Sequence, residues 1–287
     1  MAAEDKPALA SVGGFCANCV KAFVREGTPT GEIIELRVDN AAAPVPTYLS
    51  RAPAGTPSPP TVLFLTDVFG HTFKNNQVLC DEYAKRGFNI FMPDYLAGRA
   101  VSGESTAPLM DVDEASSFLT KVSTVFSVVP GFASFLWANG SRKAVQPRVE
   151  ALARAIRAKA RELGGGGEEA KLAAIGFCFG GPYALLLAKA GLADAWVAAH
   201  PSGLAVPGDL EGLGGAPGLF VLSEHDHAIT RAVADKMKLA APAVEQIWYL
   251  GVSHGFAVRG PPSADKMREK CFNDVTAFFA KNLAKQG

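Results

Sequence analysis

Ala173-Ala174-Ile175-Gly176-Phe177-Cys178-Phe179-Gly180-Gly181-Pro182-Tyr183 reads as a short apolar strand, a cramped turn with a cysteine at its tip, and the start of a helix. Gly176 and Gly180 flank the cysteine two positions to either side, the spacing G-x-nucleophile-x-G. A tip residue held in a strained backbone conformation needs neighbours without bulk. Such a turn pushes the side chain into a pocket and aims the N-terminus of the next helix at the reacting centre. Taken alone, the pentapeptide fits a buried structural cysteine equally well, since free cysteines often serve as small core hydrophobes. What separates the two readings is whether a base and an orienting acid follow in order.

Both follow. Gly218-Leu219-Phe220-Val221-Leu222-Ser223-Glu224-His225-Asp226-His227 is an apolar strand ending in an acidic turn. Gln246-Ile247-Trp248-Tyr249-Leu250 is another strand, continued by Gly251-Val252-Ser253-His254-Gly255-Phe256. Nucleophile, acid and histidine stand in the chain order of the α/β-hydrolases. Each lies just past the C-terminal end of an expected strand, where open α/β sheets carry their sites. The roles that follow are Cys178 as nucleophile, His254 as general base and then acid, and Asp226 as the group that fixes the imidazole tautomer.

The chain has 287 residues, 48% of them apolar and 20% charged, which is ordinary for a soluble globular protein. Lys plus Arg equals Asp plus Glu at 28 each, so nothing points to a nucleic-acid or anionic-membrane partner. No apolar run reaches membrane-spanning length, and Glu4, Asp5 and Lys6 stand where a secretory signal would need its hydrophobic stretch. Five cysteines, an odd count in a chain this long, argue against a disulfide framework. A reducing, cytoplasmic setting is the expectation, and it keeps Cys178 a thiol.

Strands are expected over 33–38 and 47–51, then a turn-rich stretch over 53–60. The continuous apolar run Thr61 to Thr66 marks a strand buried on both faces. A helix over 75–86 stops at Gly87, and a strand over 88–92 leaves through Pro93-Asp94-Tyr95. Residues 97–147 break the rhythm, with Gly, Ser and Pro clusters and the aromatics Phe118, Phe126, Phe132, Phe135 and Trp137. They read either as a cap over the pocket or as peripheral packing. A helix over 148–163 ends at the tetraglycine 164–167, which is no phosphate loop because no G-K-[ST] follows. Strand and helix then alternate to a last helix over 264–284. The expected fold is a doubly wound, mostly parallel α/β-hydrolase sheet with helices on both faces. One domain over 31–287 with an N-terminal extension over 1–30 accounts for the whole.

With these residues in hand, the chain resembles the dienelactone hydrolase family over about residues 28–285. The segments that carry the resemblance are Thr66-Asp67-Val68-Phe69-Gly70, Met92-Pro93-Asp94-Tyr95, Gly176-Phe177-Cys178-Phe179-Gly180-Gly181, Glu224-His225-Asp226 and His254-Gly255-Phe256-Ala257-Val258-Arg259-Gly260. The stretch Cys16 to Gly31 looks like that of eukaryotic, particularly fungal, members. The resemblance implies hydrolysis of a small lactone or ester through a thioester, with no metal or organic cofactor. It implies Cys178, Asp226 and His254 as the triad and the backbone N–H groups of Val68 and Phe179 as the oxyanion hole. Where the family often has a glutamate that touches the thiol, this chain has Asp67, one methylene shorter. Holding the resting thiol protonated, assisting its activation and capping a loop are the open roles. The family's arginines for a substrate carboxylate fall at Arg99 and, one position later than in the bacterial pattern, Arg259. Tyr95, Phe69 and Trp137 are pocket-lining candidates or core.

Other signals are weaker. Cys16-x-x-Cys19 lacks the context of a redox motif and the further ligands of a zinc site. His225 and His227 bracket Asp226 without a second ligand cluster, so no metal is expected. His200 and His71 follow strand ends and read as loop residues or as neighbours of the site. Two other functions stay open: hydrolysis of thioesters or larger metabolite esters, and a catalytically silent fold that binds a ligand or partner. Monomer and homodimer both stay open.

Overall fold

The computed structural model describes residues 23–39, 41–102, 131–163 and 171–284. They form an eight-stranded sheet: β1 (Glu32–Leu36), β2 (Val45–Ser50), β3 (Thr61–Leu65), β4 (Asn89–Pro93), β5 (Leu172–Phe177), β6 (Ala195–Ala199), β7 (Gly218–His225) and β8 (Glu245–Ser253). The spatial order is β1-β2-β4-β3-β5-β6-β7-β8. β1 and β2 run antiparallel to their neighbours, and β4 through β8 pair in parallel. This is the expected α/β-hydrolase architecture.

Why the sheet is covered twice is written in the strands. β3, β4, β5 and β6 are buried at every position. Successive side chains alternate between faces. Leu63 and Leu65 join one core with Phe91, Ala174, Trp196 and Phe220. Val62 and Phe64 join the other with Ile90, Ile175, Val197 and Val221. The helices α2 (Arg142–Glu162), α3 (Gly181–Lys189) and α4 (Arg231–Ala240) close the first face, while α1 (Lys74–Lys85) and α6 (Asp265–Leu283) close the second. A short helix, α5 (Phe256–Arg259), links β8 to α6. Among the described residues no helix is long and apolar enough to cross a membrane.

Two elements depart from the sequence expectation. The helix expected over 148–163 starts at Arg142, with Pro147 inside it. Val145, Val149, Leu152 and Ile156 bury one continuous helical stripe, and that packing outweighs the backbone hydrogen bond the proline cannot make. β8 runs on to Ser253, past the expected end at Leu250. Gly251 adopts a left-handed φ of 71°, so burial passes from Tyr249 to Val252 and the simple alternation is lost.

Of the N-terminal extension, residues 23–30 are tied to the domain. Phe23 N–H donates to Arg259 O at 3.1 Å, Asn75 Nδ2 donates to Phe23 O at 2.7 Å, and Arg25 pairs with Glu82 at 2.9 Å. Cys16 and Cys19 lie outside the described residues, as do residues 103–130 of the expected cap, Phe118 and Phe126 among them. Residues 131–139 are helical, and Phe135 packs edge-to-face with Phe179, their ring centroids 5.0 Å apart.

Candidate active site

β5 delivers the chain into the turn at its C-terminal edge. Cys178 has a φ of 51° and is fully buried, and the single tight turn Cys178–Gly180 leads straight into α3. Both flanking glycines are required by close approach. A Cβ at Gly176 would lie 2.1 Å from Gly180 O, and one at Gly180 would lie 2.4 Å from Leu65 O. No side chain fits either gap. The second contact also seats the elbow against the end of β3, where such a Cβ would meet Leu65 O and Thr66 O.

That β3 loop is braced from several sides. Tyr95, fully buried, donates its hydroxyl to Thr66 O at 2.6 Å. Val68 O accepts from Val101 N–H at 2.8 Å. Asp67 Oδ1 accepts from Phe69 N–H (3.2 Å) and Asn76 Nδ2 (3.3 Å), and Asp67 Oδ2 accepts from Arg259 Nε at 2.9 Å. The side chains of the Asp67–Arg259 pair are 0% and 1% exposed, and the guanidinium lies 5.5 Å from the buried Phe69 ring. The structure therefore places Arg259 against Asp67 inside the protein. Arg99 is exposed, donates to Ser134 Oγ at 3.2 Å and lies 6.0 Å from the ring of the exposed Trp137.

β8 ends beside β7, so His254 meets Asp226. The imidazole Nδ1 lies 3.0 and 3.1 Å from the two carboxylate oxygens, with both side chains shut off from solvent. Asp226 also accepts from Ser223 Oγ (3.0 Å) and Ala228 N–H (2.8 Å). Burial pushes the Asp226 carboxyl up, but the hydrogen bond and charge of His254 and the Ala228 N–H outweigh it and bring it down to about 2. An ionised Asp226 fixes the proton on Nδ1 and leaves Nε2 facing the elbow.

Between Nε2 and the cysteine stands a residue the sequence reading passed over. Ser202 Oγ lies 3.4 Å from His254 Nε2 and 3.5 Å from Cys178 Sγ. Its own N–H donates to Cys178 O at 2.9 Å. The signal was its place in Ala199-His200-Pro201-Ser202, just past the end of β6, a strand edge of the kind that carries sites. His200, two residues earlier, is fully buried with a φ of 38°. Its ring stands edge-on to His254 at 5.0 Å and packs on Phe177 and Phe256. Burial, reinforced by the charges of His254 and Arg259, holds His200 well below the ordinary histidine range. It is a neutral wall against the His254 imidazole.

His71 lies 3.8 Å from Asp94 and lines a cavity of about 630 Å³ with Phe69, Thr72, Lys74 and Asp94. His225 and His227 are exposed on either side of Asp226. Among the described residues no group of three His, Cys, Asp or Glu side chains is arranged to hold a metal ion.

The dienelactone hydrolase family profile matches residues 45–283, from the start of β2 to the end of α6. The chain belongs to the dienelactone hydrolase family. It is a carboxylic ester hydrolase. Hydrolase tropI of the fungus Talaromyces stipitatus is 28% identical over 262 residues, which span 87% of this chain and 88% of that protein. Hydrolase pyvD of Aspergillus violaceofuscus is 25% identical over 93% of this chain and 96% of its own. Among solved structures, a candidate dienelactone hydrolase from Klebsiella pneumoniae superposes with a TM-score of 0.62 at 17% identity, covering 88% of this chain and 98% of that one. The dienelactone hydrolase-like promiscuous phosphotriesterase P91, from metagenomic libraries, superposes at 0.57 with 18% identity, covering 86% and 98%. At these identities the structural matches show the shared fold.

Proposed function

We propose that this dienelactone hydrolase family member cleaves a small lactone or carboxylic ester through Cys178, His254 and Asp226. The thiol proton passes to His254 Nε2 as Sγ attacks the substrate carbonyl. The oxyanion is held by the N–H groups of Val68 and Phe179, donors on two loops that Gly180 packs together. Collapse breaks the C–O bond, and His254 gives its proton to the departing alkoxide, which leaves a thioester on Cys178. Water, deprotonated by His254, attacks the thioester, and expulsion of the thiolate releases the acid. From a lactone the alkoxide stays tethered, so the product is a hydroxy acid. Asp226 stabilises the imidazolium throughout.

The observation that carries this reading is the continuous line Cys178–Ser202–His254–Asp226, beginning on a residue with left-handed backbone at the head of a helix. Arg99, exposed beside Trp137, is assigned to a substrate carboxylate. Arg259, Asp67 and Tyr95 are assigned to holding the Val68 loop, and Phe69 to the wall between that loop and the adjoining cavity. A reducing, cytoplasmic compartment is proposed with the mechanism, because the nucleophile must stay a thiol. A second reading rests on the same distances: Ser202, within reach of His254, is the rival nucleophile.

The test uses p-nitrophenyl esters and simple lactones with and without iodoacetamide, in a C16S/C19S background. Cys80 and Cys271 are buried, and burial pushes both thiols up, Cys271 to about 12, so alkylation there is slow. Turnover is expected to fall in proportion to alkylation of Cys178. Turnover that survives full alkylation, or no hydrolysis of any ester or lactone, overturns the reading.

A further inference from the structure

We infer that Ser202 is the residue that couples the Cys178 thiol to His254, relaying the proton between them; the inference rests on the triad proposed above. A hydroxyl is both donor and acceptor. In the resting state Oγ–H donates to the neutral Nε2 while Oγ accepts from the thiol S–H. As the pair ionises, S–H gives its proton to Oγ and Oγ–H gives its own to Nε2. The serine ends neutral, the sulfur is a thiolate and the imidazole carries the charge. The bonds then reverse: Nε2–H donates to Oγ, and Oγ–H donates to the thiolate. One proton leaves sulfur and one arrives at nitrogen, with no net change at Ser202.

The structure is built to keep the hydroxyl at that point. The Ser202 N–H to Cys178 O bond at 2.9 Å ties the β6 loop to the elbow itself. Gly181 admits Pro201 so closely that a Cβ there would lie 2.7 Å from the proline Cβ. His200, with its φ of 38° and its N–H on Val221 O at 2.8 Å, sets the direction in which the loop leaves β6. Ser202 is 4% exposed, so water does not compete freely for its hydroxyl. The charged and titratable groups surrounding the relay are Asp226, His200, Tyr95 and the Asp67–Arg259 pair, none of which a change at Ser202 removes.

The experiment compares the wild type, Ser202→Ala and Ser202→Thr in the C16S/C19S background. Three quantities are read: the rate of Cys178 alkylation against pH, kcat/KM for p-nitrophenyl acetate, and the melting temperature. Losing one hydrogen bond to a charged group is expected to slow alkylation at neutral pH by about 10- to 100-fold. It is also expected to move the rise of the alkylation profile up by about one pH unit or more and lower kcat/KM in parallel. Ser202→Thr, which keeps the hydroxyl, restores most of both. A wild-type proton inventory in mixed light and heavy water adds a readout that needs no variant: a bowed dependence means two protons move together. A Ser202→Ala profile matching the wild type, or a linear inventory, overturns the relay. If wild-type turnover is abolished by alkylating Cys178 while Ser202→Ala is unaffected, the relay alone is wrong. If turnover survives alkylation, the triad reading itself is wrong.

Discussion

Cys178→Ala is expected to lower kcat/KM for ester hydrolysis by about 10⁴- to 10⁶-fold, the range spanned by removing single members of a triad. The fold is expected to survive. The cysteine side chain is small, and alanine asks for no new space at a position where it is fully buried. The left-handed φ of 51° is already borne by a residue with a Cβ, so alanine adds no backbone strain of a new kind. Thermal denaturation checks that point, with a melting temperature within a few degrees of wild type expected for a change that removes one buried sulfur. Residual activity within tenfold of wild type would place the chemistry elsewhere, and Ser202, the other group within reach of His254, would be the first residue to test.

The second large effect falls on stability. Arg259→Met removes the cation that pairs with the buried Asp67 carboxylate, and Asp67→Asn removes the charge of the carboxylate that accepts from Arg259 Nε. Breaking a fully buried ion pair from one side costs about 3–5 kcal/mol, because the remaining buried charge loses its counter-ion. Both side chains here are 1% exposed or less, so solvent does not rescue either of them. The same variants are expected to slow catalysis by about 10²- to 10³-fold, the usual cost of losing one oxyanion donor, since Asp67 holds the loop of Val68 through Phe69 N–H and Asn76. Urea denaturation and kcat/KM are measured on the two single variants and on Asp67→Asn/Arg259→Met. The double variant is expected to be destabilised by less than the sum of the singles, because it leaves no orphaned charge. Strict additivity would mean that the pair is not coupled.

The parts of this molecule legible in the sequence are those whose cause is local. β3 showed itself as an unbroken apolar run because both of its faces are covered. The elbow showed itself because two close approaches leave room only for hydrogen at positions 176 and 180. Asp226 and His254 stand at strand ends in a fixed chain order, and the structure brings the two side chains to 3.0 Å. What stayed hidden depends on closure in three dimensions. Arg259 reads as an arginine for a substrate carboxylate, yet its partner is a carboxylate of the chain itself, 192 positions away on the β3 loop. Ser202 carries no motif of its own; its place between Cys178 and His254 exists only once the β6 loop is tied to the elbow. The early start of α2 was masked by Pro147, a residue that marks a boundary unless a buried stripe runs through it.

The central claim is that the acyl group is carried on Cys178. The most direct test is to mix the protein with p-nitrophenyl acetate, quench in acid within the first turnovers, digest and locate the acetyl group by tandem mass spectrometry. The mechanism predicts one acetyl group on the peptide containing Cys178, released by hydroxylamine as a thioester is, and absent from Cys178→Ala. An acetyl group on Ser202, held as an oxygen ester and retained in Cys178→Ala, would contradict it.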